Sequence, residues 1–230
     1  MIGIIGAMEE EVASLIEHME QPETEEIASM TFYQGILCGK DVVLVQSGIG
    51  KVNATVCAQI LVNKYGVDTL INTGIAGSLN SAINIGDIVI SKDAVHHDMD
   101  ACAFGYPRGQ VPRMETLYFE ADPVLVEKAK AANEAANPDI RTFIGRVASG
   151  DQFVASNEVK ENIVSQFGAD CVEMEGTPIA HVAYLNKISY VIIRAISDKA
   201  DNSASVDYPT FEKQAIEHSV KLVLNLLPRI

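Results

Sequence analysis

Basic residues are scarce in this chain. Seventeen lysines and arginines stand against 31 aspartates and glutamates, a formal charge of −14 over 230 residues. The basic residues are scattered singly, which argues against nucleic acid or an anionic membrane as a partner. Cysteine is equally sparse. Cys38, Cys57, Cys102 and Cys171 are far apart, with no CxxC pair. Three of them lie among apolar or small residues, which predicts buried thiols in a reducing compartment rather than a disulfide framework. No apolar run approaches membrane-spanning length. The first residues, Ile2-Gly3-Ile4-Ile5 and then glutamates, lack the basic segment and cleavage motif of a signal peptide. A cytoplasmic protein is the expectation.

What is present is an apolar chain with a regular rhythm. Apolar residues make up 48% of it, and its length suits one large domain with a sizeable core. Residues 1–5 read as a strand. Residues 9–19 read as a helix, with Val12, Leu15, Ile16 and Met19 on one face. The polar stretch 21–29 reads as a turn, and Met30–Leu37 pairs with a strand at 41–46. Residues 51–64 read as a helix that turns Val52, Val56, Ile60 and Leu61 to a core. Residues 69–72 and 87–91 read as short strands. Residues 96–113 read as a long loop, of a kind that often carries function.

Asp122 is placed to cap a helix reaching residue 136, with Pro123 at its first position. A strand at 141–148 and a helix over Asn157–Phe167, ended by Gly168, follow. Another helix spans 175–186, a strand holds Val191-Ile192-Ile193, and an amphipathic helix covers 208–227. This alternation predicts the α/β class: one domain, residues 1–230, with helices flanking a mixed, mostly parallel central sheet.

Candidate chemistry gathers where the strands end, the usual place for ligands in open α/β folds. The strand at 191–193 leads to Arg194 and then Ser197-Asp198, a pair able to hold a ligand and pass it a proton. Glu173 and Glu175 flank Met174 in an apolar context, which is unusual for a surface. A carboxylate there suits the two hydroxyls of a ribose. Glu9-Glu10-Glu11 opens a helix, where acids suit the dipole. That accounts for Glu9 and Glu10, while Glu11 is equally placed to turn inward. Asp198 also reads as a helix cap or turn residue.

The glycine-rich stretches 47–50 and 73–77 have the composition of a phosphate cradle. Neither matches a P-loop or a complete GxGxxG, and a tight turn is the commoner reading. His96-His97-Asp98-Met99-Asp100 has metal-binding residue types, with His96, Asp98 and Asp100 on one side if the segment is a strand. No second cluster of His or Cys completes a shell. It reads as a hydrogen-bonding loop, and no metal or other cofactor is expected.

In order along the chain, GIIGAMEEEV, SGIGKVNA, NTGIAGS, HHDMDACAFGYPRGQVP, SGDQFV, VEMEGTPIA and VIIRAISDKAD resemble the bacterial 5′-methylthioadenosine/S-adenosylhomocysteine nucleosidases. The resemblance covers essentially the whole chain. VEMEG and RAISD are similar to the wider nucleoside phosphorylase superfamily, and GAMEEEV to its hydrolase branch. It implies hydrolysis of the N-glycosidic bond of an adenine thionucleoside, or of 5′-deoxyadenosine, through an oxocarbenium-like transition state, in either methionine salvage or autoinducer precursor supply.

Asp198 matches the general acid, oriented by Ser197. Glu11 matches the base on water, and Arg194 would hold that water and the nearby carboxylates. Glu175 would grip the ribose hydroxyls, with Glu173 behind it. The resemblance further implies Met174 beneath the sugar, Phe153 stacked on the purine and the Val154 backbone on the adenine edge. Met8, Ile49 and Phe104 match an apolar wall around the alkylthio group. A homodimer is implied in which Ala101 and Pro112 complete the neighbour's site. Ile75 departs from a serine that many relatives carry near the water and ribose, and Gly176 departs from an alanine. A phosphate-dependent purine nucleoside phosphorylase is the alternative, and it would need arginines and backbone amides for phosphate. A non-catalytic nucleoside binder would lack Glu11, Glu175 or Asp198.

Overall fold

The computed structural model describes residues 1–230. The most apolar runs form its inner strands. β1 (Ile2–Gly6), β5 (Thr69–Ser78) and β10 (Ser189–Asp198) lie parallel, with β5 in the middle. They are buried almost throughout, which parallel strands covered on both faces require. β4 (Lys40–Gln46) adds in parallel to β1, and β3 (Met30–Leu37) and β2 (Glu20–Ile27) extend that wing antiparallel.

On the other side, β6 (Ile88–His96) runs antiparallel to β10. β8 (Thr142–Ser149) joins β6 to β9 (Cys171–Glu173), and β9 returns to β5. Strands β5, β10, β6, β8 and β9 therefore close a ring. The short β7 (Phe119–Glu120) pairs with β6. Helices α1 (Glu9–Glu17), α2 (Lys51–Tyr65), α3 (Pro123–Ala136), α4 (Asn157–Phe167), α5 (Gly176–Asn186) and α6 (Ala204–Leu226) pack around the sheet. Asp122 caps α3 through Val124 and Leu125 N–H, and Gly168 ends α4 in the left-handed region, both as expected.

The structure departs from the sequence reading in particular places. The sheet is mixed, but five strand pairings are parallel and five antiparallel, so it is not mostly parallel. Residues 21–29 are mostly strand, the exposed edge β2. Four glutamates and Pro22 lie on it, devices that keep an edge from pairing further. β5 continues through residues 73–77, so that glycine stretch is not a turn. A Cβ at Gly74 would overlap Glu11 Oε1, and one at Gly77 would lie 2.7 Å from Asp198 Oδ1. Glycine inside a strand here marks close approach by other groups.

α2 buries Ala54, Cys57, Ala58 and Leu61, and leaves Val52 73% exposed and Val56 half-exposed. The helix is apolar on several faces, so periodicity alone did not select the inner one. Cys57 and Cys171 are buried as expected, whereas Cys38 and Cys102 are exposed. α6 begins at Ala204 rather than 208 and contains Pro209.

Candidate active site

The ends of six strands and the start of one helix meet at this site. β1 runs into Ala7, Met8 and the first turn of α1. β4 leads to Ile49, β5 ends at Ile75, Ala76 and Gly77, and β9 supplies Val172 and Glu173, followed by Met174 and Glu175. β10 ends at Ser197 and Asp198. Phe153 stands beyond β8, and Ser205, Tyr208 and Pro209 come from α6. Together these residues and Glu11 line a cavity of about 490 Å³. A small recess beside it is lined by Gln152, Phe153, Val154 and Asp198 among others.

Glu11 is buried and points inward. Its Oε2 accepts from Ala7 N–H (2.6 Å) and Met8 N–H (3.0 Å), and its Oε1 from Ile75 N–H (3.2 Å). Burial raises its pKa against the pull of Arg194 and these N–H groups. Oε1 accepts only one of the three bonds, so it keeps a lone pair for a further donor.

Asp198 stands at the bulge that ends β10. Ser197 Oγ donates to its Oδ2 at 2.9 Å and Ala200 N–H to its Oδ1 at 2.7 Å. Burial still raises its pKa above the ordinary carboxylate value. Glu175 directly precedes α5, and its Oε1 accepts from Gly50 N–H at 2.8 Å. Its pKa is pushed up to about 8 by burial first and then by the Glu173 carboxylate.

Glu173 does different work. Its Oε2 accepts from Glu175 N–H (3.1 Å) and Gly176 N–H (2.7 Å) and pairs with Arg194. Ser149 Oγ donates to its other oxygen. Arg194 also reaches Asn72 Oδ1. The Arg194 and Glu173 side chains are 2% and 3% exposed. Burial opposes the charge of Arg194, but Glu173 and Glu11 hold its pKa above the usual value.

In the loop after β6 the two aspartates are paired, while His97 Nε2 and Arg108 Nε are buried without a hydrogen-bond partner. His96 meets Phe119 and His181 edge-on. Asp98 pairs with Lys51 at 2.7 Å and accepts from Asp151 N–H, and Asp100 pairs with Arg108. No three His, Cys, Asp or Glu side chains are grouped to hold a metal ion.

The family model described as "Phosphorylase superfamily" matches residues 1–228. A 5′-methylthioadenosine/S-adenosylhomocysteine nucleosidase of Staphylococcus aureus is 42% identical over 221 residues, covering 95% of this chain and 96% of that protein. The chain belongs to the 5′-methylthioadenosine/S-adenosylhomocysteine nucleosidase family. Among solved structures, the nucleosidase of Neisseria meningitidis in complex with methylthio-immucillin-A superposes with a TM-score of 0.96. It is 39% identical, over all of this chain and 99% of that one. A futalosine hydrolase of Helicobacter pylori superposes at 0.94 with 33% identity, over all of this chain and 97% of that one.

Seen against this family, most of the expected site residues come together. Met8, Glu11, Ile49, Ile75, Phe153, Glu173, Met174, Glu175, Ser197 and Asp198 share the main cavity, Val154 the recess beside it, and Arg194 lies behind the carboxylates. Phe104 does not join its own chain's cavity. It sits in a short 3₁₀ turn and is 84% exposed. Pro112 is exposed too, and Ala101 is buried in its own chain.

Ser205, Tyr208 and Pro209 also line the cavity and are not among the expected site residues; only Ser205 lies before the helix start expected at 208. Tyr208 Oη donates to Glu212 at 3.0 Å and lies 3.3 Å from Met8 Sδ, and its ring meets Phe153 edge-on. A tyrosine in the first turns of an amphipathic helix, next to the Ser197-Asp198 strand end, was the available signal. Gly176 is accommodated by Ile192, whose Cδ1 lies 2.9 Å from where a Cβ would stand.

Proposed function

We propose that this chain hydrolyses the N-glycosidic bond of 5′-methylthioadenosine and S-adenosylhomocysteine, releasing adenine and a 5-thioribose sugar. One observation carries the reading: Glu11 and Asp198, both buried and both with raised pKa, line the same cavity from different strand ends. Glycoside hydrolysis needs one carboxyl to protonate the leaving group and another to activate water. Adenine is a poor leaving anion. Asp198 donates a proton to a nitrogen of its imidazole ring, and Ser197 fixes the carboxyl. Glu11 takes the proton of the attacking water on the free lone pair of Oε1. Glu175 faces the ribose hydroxyls and hydrogen-bonds them through its carboxyl.

Apolar contacts complete the pocket. Met174 packs under the sugar, Phe153 and the Val154 backbone face the adenine, and Met8, Ile49 and Ile75 line the alkylthio end. Few polar anchors in an apolar cavity is the usual form of a small-molecule site. Phosphate finds little purchase here. The N–H groups of Gly50 and Lys51 that open α2 are already bonded to Glu175 and Asp151. Nη2 of Arg194 is already bonded to Glu173 and Asn72.

The same reading includes a homodimer. Ile49, Val52, Val56 and Phe104 are large apolar side chains left exposed. The Lys51–Asp98 ion pair ties the first turn of α2 to the loop that leads to Phe104. Phe104 and Pro112 therefore belong to a loop offered to the neighbour's cavity, whereas Ala101 is buried in its own chain.

The test is adenine release from methylthioadenosine by the purified protein, with and without inorganic phosphate. Release that ignores phosphate supports the proposal. Release that requires phosphate makes the protein a phosphorylase, and no release in either case removes the hydrolase reading.

A further inference from the structure

Three backbone N–H groups converge on one carboxylate in the cavity wall. Those of Ala7 and Met8 come from the turn between β1 and α1, and that of Ile75 from β5; all three donate to Glu11. Gly74 makes the convergence possible. A Cβ there would overlap Glu11 Oε1 and would stand 3.1 Å from a terminal nitrogen of Arg194. Gly6 does the same beneath, where a Cβ would lie 2.6 Å from Val12 and 3.4 Å from Glu11 Oε2. Arg194 is buried, and its Nε has no hydrogen-bond partner.

Backbone donors aimed at one point from a turn form an anion-binding concavity. A guanidinium beside them strengthens such a site, because charge-assisted hydrogen bonds to oxyanions are the strong ones. We propose that the N–H groups of Ala7, Met8 and Ile75, with Arg194, form an oxyanion site that the chain fills with its own Glu11 carboxylate, and that this filling keeps phosphate out and leaves water as the nucleophile.

The inference rests on the nucleosidase reading and explains its choice of nucleophile. Truncating Glu11 to alanine removes Cγ, Cδ and both carboxylate oxygens. The three N–H groups are then free to receive the oxygens of another oxyanion. A phosphate oxygen held there bonds to the anomeric carbon as the bond to adenine breaks. The electron pair leaves on adenine, which takes the proton of Asp198, and the other product is a 5-thioribose 1-phosphate.

The experiment titrates inorganic phosphate into wild type, Glu11→Ala and Glu11→Gln by calorimetry. It then follows adenine release and the phosphorus spectrum of the products. Phosphate should bind Glu11→Ala, but neither wild type nor Glu11→Gln, whose amide still fills the site. It should raise adenine release by Glu11→Ala about tenfold or more, the equivalent of about 1.4 kcal/mol, with a sugar phosphate formed. A folded Glu11→Ala that binds no phosphate overturns the proposal. So does binding without sugar phosphate, or equal binding by Glu11→Gln. If Glu11→Ala does not fold, Glu11→Ser decides by the same measurements. Phosphate binding is read without turnover, and wild-type hydrolysis is assayed separately, so failure here is distinct from failure of the nucleosidase reading.

Discussion

The N–H of Gly50 donates to Oε1 of Glu175 at 2.8 Å across 125 residues of sequence. The carboxylate assigned to the ribose therefore also caps α2 and lies at the positive end of its dipole. Asp151 takes the next N–H, that of Lys51, at 2.8 Å. A helix start with composition suited to phosphate is thus occupied by two of the chain's own acids.

Proton uptake by the buried acids ties stability to pH. The Glu175 carboxyl has a pKa of about 8 in the folded protein against 4.5 as reference. Between these values the folded state holds a proton that the unfolded chain has released, so the contribution is lost as pH rises toward 8. Buried Glu11 and Asp198 act in the same direction. His96, lowered to about 3 by burial, Lys51 and His181, acts oppositely below its reference value. The signature is therefore a difference: Tm of wild type should fall more steeply than that of Glu175→Gln from about pH 5 to about pH 8. Parallel curves would refute the Glu175 assignment.

Glu11→Gln keeps the shape of the side chain and removes the base. Turnover should drop about 10²- to 10⁴-fold, while the Kd for a non-hydrolysable adenine nucleoside stays within a few fold. Steady-state kinetics with a parallel binding titration read both. Unchanged turnover would take Glu11 out of the base role.

Asp198→Asn should leave the circular dichroism spectrum unchanged and lower kcat about 10²- to 10⁴-fold. Asp198 acts only while it carries a proton, and burial raises its pKa, so wild-type kcat/KM should decline as pH rises and that proton is lost. In the variant this decline should vanish from the residual rate. A variant with wild-type activity would mean that another group protonates adenine.

Arg194→Met leaves Glu173 charged, buried and without its partner. Removing one member of a buried pair costs about 3–5 kcal/mol, and urea unfolding should show a loss of that size. Adding Glu173→Gln should recover part of it, since the two effects are coupled. A strictly additive double variant would show that the pair is not a unit.

Val52→Glu puts a charge on the exposed apolar face of α2. In a homodimer that buries this face, sedimentation should shift to a monomer, and turnover should fall with it because the loop holding Phe104 is withdrawn from the neighbour. A monomeric wild type with full activity would remove the dimer from the proposal.

The sequence by itself determined most of the order of elements, though not β2, β7 or β9, together with the α/β class and the candidate acids. Apolar runs bounded by glycine specify strands, Asp122-Pro123 specifies a helix start, and an acid between apolar residues, as at Glu173 and Glu175, has few uses on a surface. These signals are local. What only the tertiary structure decided depends on contacts between distant segments. Residues 73–77 are strand because Glu11, Arg194 and Asp198 crowd against glycines that carry no side chain. The inner face of α2 was settled by the neighbours it packs on, not by its own period. Phe104 was drawn out of its own chain's cavity by the path of the loop. The direction of Glu11 was undecidable from a helix start that suits acids in any orientation. It turns inward because three N–H groups from two strand ends donate to it and the nearby charge of Arg194 attracts it.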